Sequence, residues 1–148
     1  MDHQERDEQV RRYVYGVALS TGAPPTVSAL SDFLRLARDE VEASLRRLAD
    51  AHVLVLQPDR PEILMAAPFS AVPTPFLVRA GEISCFANCI WDALGVAAML
   101  HQDAQIDTSC QDCGGPMSVE VRAGAVSSEG LVHFAVPAKE WWADIVFT

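Results

Sequence analysis

The sequence predicts an α+β protein, and three observations carry that prediction. Three runs within the first fifty residues repeat apolar side chains at helical spacing. A short pair of apolar segments around turn residues follows them. Beyond residue 80, one strongly apolar helix precedes several stretches with partial alternation. The expected architecture is a three-helix lobe with a small hairpin, then a lobe in which an apolar helix packs on a small, mostly antiparallel sheet. Half of the 148 residues are hydrophobic, enough to bury a real core.

The elements follow in order. Residues 5–19 predict a first helix, with Val10, Tyr13, Val14, Val17 and Ala18 on one stripe. TGAPP, 21–25, breaks it through glycine and paired prolines. A second helix is expected from about Thr26 to Ala37, with Val27, Leu30, Phe33 and Leu34 on one face. Asp39 is the expected N-cap of a third, where Val41, Leu45 and Leu48 recur at intervals of four and three. AHVLVLQPDRPEILMAA then predicts two short strands around Pro58, Asp59 and Pro61.

Three helices and a small hairpin make the pattern of a winged helix, and residues 1–67 are expected to form such a lobe. DNA binding through the third helix would use Arg38, Arg46 and Arg47. Asp39, Glu40, Glu42 and Asp50 share that helix, however, and the net charge is −9. Residues 1–60 carry 8 basic and 10 acidic groups, and residues 61–148 carry 3 and 10. Duplex binding is dominated by phosphate neutralisation, so nucleic acid is disfavoured as a partner and a structural lobe is preferred.

Residues 68–80, PFSAVPTPFLVRA, predict an extended, proline-punctuated connector rather than a helix or a central strand. The second lobe, 68–148, includes this connector. From about Ser84 to Leu100 the chain predicts an apolar helix with Phe86, Ile90, Leu94 and Ala97 on one face and Cys85, Cys89 and Asp92 on another. AQIDTS, MSVEVRAG and LVHFAVP predict short strands, the last placing His133 on a core strand. AKEWWADI predicts a last helical turn, with Trp141 and Trp142 packed on the core. No run approaches the ~18 uninterrupted apolar residues of a membrane helix. The polar start, MDHQERDEQVRR, lacks a secretory apolar stretch, so the chain is expected to be soluble and cytoplasmic.

Four cysteines fall within 29 positions: Cys85, Cys89, Cys110 and Cys113. In a reducing compartment such clusters point to metal or reactive thiols rather than disulfides. Cys89 and Asp92, three apart on the expected helix, share a face about one turn apart. A thiol beside an aspartate in an apolar helix joins a soft metal ligand to a proton carrier. The alternative is an inert buried thiol with the aspartate bonded to backbone or to Trp91. The C-x3-C-x20-C-x2-C spacing also admits a four-thiolate zinc site, of which only the CxxC knuckle is specific. The histidines His3, His52, His101 and His133 carry no ligand spacing. No phosphate loop, GxSxG or HExxH is present.

The runs FSAVPTPFLV and FANCIWDALGVAAML, a later cysteine followed by a Gly-x-Pro element, and VHFAVPAKEWWADIVFT together resemble the alkylmercury (organomercurial) lyase family. The resemblance is strong over residues 68–148 and extends to the N-terminal lobe, and NCxxD is its most specific element. It implies a lyase-like second lobe that cleaves carbon–mercury bonds by protonation, giving hydrocarbon and Hg(II). Cys89 matches the first catalytic cysteine and Asp92 the catalytic aspartate, and both are expected to hold the metal. Cys110 matches a third, supporting cysteine. The family's second catalytic cysteine comes just after the segment matched by DIVFT, where the sequence reaches Thr148: either the chain continues, or Cys85 or Cys113 replaces that thiol, with Cys85 favoured, or the protein does not cleave carbon–mercury bonds. No organic cofactor is implied. The implied partners are an organomercurial, low-molecular-weight thiols and a mercury-reducing enzyme. The rival expectations are a non-catalytic zinc- or mercury-binding thiol protein and a metal-responsive winged-helix regulator.

Overall fold

The computed structural model describes residues 2–146. Its first helix, α1, runs His3–Thr21. Asp2 caps it: the Asp2 carboxylate accepts from the Glu5 N–H at 2.8 Å while Glu5 accepts from the Asp2 N–H at 3.2 Å, so two otherwise orphaned donors are satisfied together. α2 spans Val27–Leu34 behind a Thr26 cap. It is shorter than the sequence predicts, because Arg35 turns into the left-handed region, φ 58°. α3 spans Arg38–Asp50. Its N-cap is Ala37, not Asp39, and Glu40 reaches back to accept the Ala37 N–H at 3.0 Å.

After α3 come β1 (Val55–Leu56), β2 (Ile63–Ala66) and β3 (Phe69–Ser70), an antiparallel sheet in that order. The three helices and β2 enclose one core, with Val10, Val14, Leu30, Val41, Leu45 and Ile63 almost wholly buried.

The second sheet has the order β5-β4-β6-β7-β8, every neighbour antiparallel. Its strands are β4 (Leu77–Ala80), β5 (Ile83–Phe86), β6 (Ala104–Ser109), β7 (Pro116–Arg122) and β8 (Ala125–Val126). The expected connector 68–80 thus carries two strands, at 69–70 and 77–80, with irregular chain between them. Pro68, Pro73 and Pro75 lie outside 77–80, so LVRA keeps every donor and becomes an internal strand between β5 and β6. α4 spans Ile90–Leu100 and buries Ala93, Val96 and Ala97 against Val78, Ala80 and Ile106.

The helix expected over 84–100 is therefore two elements. Its first part, including Cys85, is strand β5, whose Phe86 pairs with Leu77. The expected strand LVHFAVP does not form: β8 takes the position beside β7, and residues 131–137 are irregular and mostly exposed. His133 is accordingly exposed rather than on a core strand. AKEWWA does form a short 3-10 helix, Ala138–Ala143.

α1 joins the two cores. Val10 and Val14 lie in the first, while Ala18, one turn on, lies in the second. Gly22 ends α1 at φ 85° and lies flat against β5, where a Cβ would stand 2.8 Å from the Ser84 carbonyl oxygen and 2.9 Å from the Cys85 Cβ. Among the described residues no helix is long and apolar enough to cross a membrane.

Candidate functional site

The chain leaving β5 is pinned at Ala87. Its N–H donates to the Phe76 carbonyl at 3.0 Å, its carbonyl accepts from the Thr74 hydroxyl, and Ala87 bridges to Phe69. Asn88 follows, then Cys89 as the N-cap of α4 with extended backbone, φ −152° and ψ −178°. The Cys89 sulfur occupies the place a serine oxygen takes in an ordinary cap. It accepts from the Asp92 N–H at 3.5 Å. Asp92 thus sits at the third helical position, its backbone beneath the sulfur. The predicted proximity of the two holds, but through a helix cap rather than through two positions within a helix.

Burial dominates the electrostatics of both groups. It pushes the Cys89 thiol above its ordinary range and is aided by the nearby Asp92 charge, against the lowering effect of the Asp92 and Trp91 N–H groups. Burial likewise raises the Asp92 carboxyl, while the Asn88 side chain opposes the rise. Asn88 Nδ2 donates to Asp92 Oδ2 at 2.8 Å and lies 3.4 Å from the Pro68 carbonyl oxygen. Asn88 Oδ1 is buried with no partner among the described residues. The arrangement sets a thiol and a carboxyl, both with raised proton affinity, side by side at the positive end of a helix.

Two contributors escape the sequence pattern. Asn88 belongs to the NCxxD element, yet its role shows only when it precedes a cap. Tyr15 lies off the main apolar stripe of α1, donates to the Val53 carbonyl at 3.3 Å, and is raised by burial and by the field of Asp92. On the other side, Trp91 meets the edge of Phe134 at 6.4 Å, and Phe134 lies 5.3 Å from Trp141. Trp142 stacks on His52 at 4.1 Å, tying the end of α3 to the 3-10 helix. Both tryptophans thus pack on other aromatic rings outside the main cores.

The remaining cysteines do not join this pair in a zinc cage. Cys85 is buried in the second core, on a strand, and desolvation pushes its thiol up to about 11. It is not one helical turn before Cys89, so the basis for its role as stand-in is gone. Cys110 and Cys113 occupy the turn between β6 and β7. The Cys110 sulfur accepts from the Cys113 and Asp112 N–H groups and from the Cys113 thiol, which lowers its pKa. Among the described residues no group of three His, Cys, Asp or Glu side chains could hold a metal ion. The expected segment DIVFT reaches Phe147 and Thr148, which lie outside the described residues. The arginines expected to face DNA all engage carboxylates: Arg38 and Arg46 on Glu42, Arg47 on Asp7.

The fold and this cap define an α+β protein with a paired thiol and carboxyl at the start of a helix whose inner face packs into the second core. The alkylmercury lyase family model matches residues 69–148, more than half of the sequence, and the chain belongs to that family. A solved structure described as the mercury-bound form of MerB2 has a similar fold, with a TM-score of 0.61 and 24% identity over 81% of this chain and 59% of that one. The chain therefore spans about three fifths of that relative's length. None of the curated proteins matches it.

Proposed function

We propose that the protein is an organomercurial lyase that breaks the carbon–mercury bond by protonolysis, with Cys89 and Asp92 as its reacting groups. The observation that carries the reading is the Cys89–Asp92 cap: a mercury-seeking sulfur one helical turn from a carboxyl whose proton affinity burial raises. Family membership supports the reaction class.

The steps balance without a cofactor. The Cys89 thiol exchanges with a thiol already on the organomercurial, forming the Cys89 sulfur–mercury bond and releasing that thiol with the Cys89 proton. The Asp92 carboxylic acid then gives its proton to the mercury-bound carbon, which keeps the electron pair of the breaking bond and leaves as hydrocarbon. Hg(II) remains between the Cys89 sulfur and the Asp92 carboxylate. Two external low-molecular-weight thiols displace it and return one proton to each group. Asn88 orients the acid, and Trp91 with Phe134 and Trp141 presents an apolar wall to the organic substituent.

In this reading residues 68–148 carry the chemistry, and residues 1–67 are a winged-helix-like lobe that supplies Tyr15 beside the site. The division of the buried residues into two clusters supports that boundary. The proposed setting is detoxification in a thiol-rich cytoplasm, with a mercury-reducing enzyme consuming the product.

Release of benzene from phenylmercury, or methane from methylmercury, under excess thiol tests the proposal. The wild type releases hydrocarbon and Cys89→Ala and Asp92→Asn do not. Undiminished release from Asp92→Asn sinks the assignment of the acid.

A further inference from the structure

We propose that Cys110 and Cys113 form a second, two-thiolate site for a soft cation, in particular Hg(II), on the turn joining β6 and β7. The turn is closed by two backbone hydrogen bonds, from the Cys110 N–H to the Gly115 carbonyl at 2.8 Å and from the Gly114 N–H to the Cys110 carbonyl at 2.9 Å. Gly114 takes the left-handed conformation that such a hairpin loop requires, φ 70°. This closure turns the chain back between Cys110 and Cys113, with Cys113 exposed and Cys110 partly so. Two sulfurs fall short of the four ligands of structural zinc, but they complete the shell of a soft ion that takes two thiolates.

The sheet register adds a reason for this ion in this place. Leu77 on β4 pairs with Phe86 on β5 and with Asp107 on β6. Since β4 is antiparallel to both, β5 and β6 run the same way. Three residues past Phe86 the chain reaches Cys89, and three residues past Asp107 it reaches Cys110. Both thiols therefore leave the same end of the sheet, on strands roughly 10 Å apart.

Resting on the lyase reading, the dithiol then acts as the receiver of the product. Hg(II) bound by the Cys89 sulfur and the Asp92 carboxylate exchanges onto the Cys110 and Cys113 sulfurs. The two thiol protons return to Cys89 and Asp92. No electron changes hands. A chelating pair outcompetes a single thiol because the second sulfur binds without a second encounter.

The test is titration of the full, reduced chain with HgCl2 against a monothiol competitor, reading bound mercury per chain after desalting. The Cys110→Ser/Cys113→Ser variant binds one ion fewer than wild type, and each single variant loses the same ion. Equal stoichiometry in wild type and double variant overturns the site, and retention by either single variant overturns chelation. Binding is read without turnover, so loss of the lyase reading leaves this result standing.

Discussion

The backbone N–H of Asp92 points at the sulfur of Cys89, 3.5 Å away, so the residue proposed to attack mercury also caps the helix that carries the acid. The two duties separate on substitution. Serine caps a helix at least as well as cysteine, whereas alanine leaves the Asp92 N–H without its partner, at about 0.5–2 kcal/mol. Cys89→Ser should therefore keep wild-type stability in urea while losing hydrocarbon release. Cys89→Ala should lose both. A serine variant that still turns over would show that the sulfur is not the nucleophile.

Cys85 offers the opposite case. Its side chain is buried in the core with its Cβ against Gly22, and its pKa is pushed up to about 11. At neutral pH very little of it is thiolate, so iodoacetamide should label Cys110 and Cys113 long before Cys85. Cys85→Ala should keep hydrocarbon release within about twofold of wild type, its loss falling on stability through the lost packing. A variant that folds but does not turn over would restore Cys85 as a reacting group.

The glycine above it is equally constrained. At φ 85°, with β5 backbone 2.8 Å from where a Cβ would stand, Gly22→Ala combines left-handed strain with a clash against a carbonyl. The strain alone costs about 1 kcal/mol and displacement of the strand adds to it. We expect a loss of roughly 2 kcal/mol or more by chemical denaturation. A neutral substitution would mean that α1 does not bear on β5.

The helices were legible where their signals are local. Apolar spacing locates α1, α2 and α3, and Pro58, Asp59 and Pro61 mark the first turn correctly. What failed was context. SCF reads as the start of an apolar helix until it is seen paired with Leu77–Arg79, since a short apolar run does not distinguish strand from helix. Prolines made 68–80 look wholly extended and exposed, yet LVRA lies between them and β5. LVHFAVP has strand-like alternation, but sequence could not show that β8 already pairs with β7. Of the site, the Cys89–Asp92 spacing was readable, whereas the role of Asn88 depended on the cap geometry and that of Tyr15 on long-range packing.

The N-terminal helices make a separate prediction. Asp7 on α1 accepts two hydrogen bonds from Arg47 on α3, at 2.8 and 2.6 Å, and one from Ser44. The bond from Arg47 chiefly holds the carboxyl below its usual range. A lowered folded pKa stabilises the fold above the unfolded value, 3.8, and that stabilisation is lost as pH falls through the folded value. Asp7→Asn should cost about 1–2 kcal/mol at pH 7, toward the low end because Arg47 is partly exposed. The gap from wild type should narrow below pH 3.8. A gap independent of pH would assign the effect to packing.

Asn88 connects the geometry of the site to its pH dependence. Burial raises the Asp92 carboxyl, and the Asn88 Nδ2 hydrogen bond partly restrains that rise by favouring the charged form. If Asp92 donates the proton, turnover falls as pH rises through its folded pKa, because the acid form is used up. Removing the restraint in Asn88→Ala raises that pKa further, so the descending limb of the rate profile should move to higher pH. On the acid plateau the rate should still fall roughly tenfold, because the carboxyl is no longer aimed at the carbon. A purely structural asparagine would lower the rate without moving the limb. A shift toward lower pH would contradict the role of Asp92 as the proton donor.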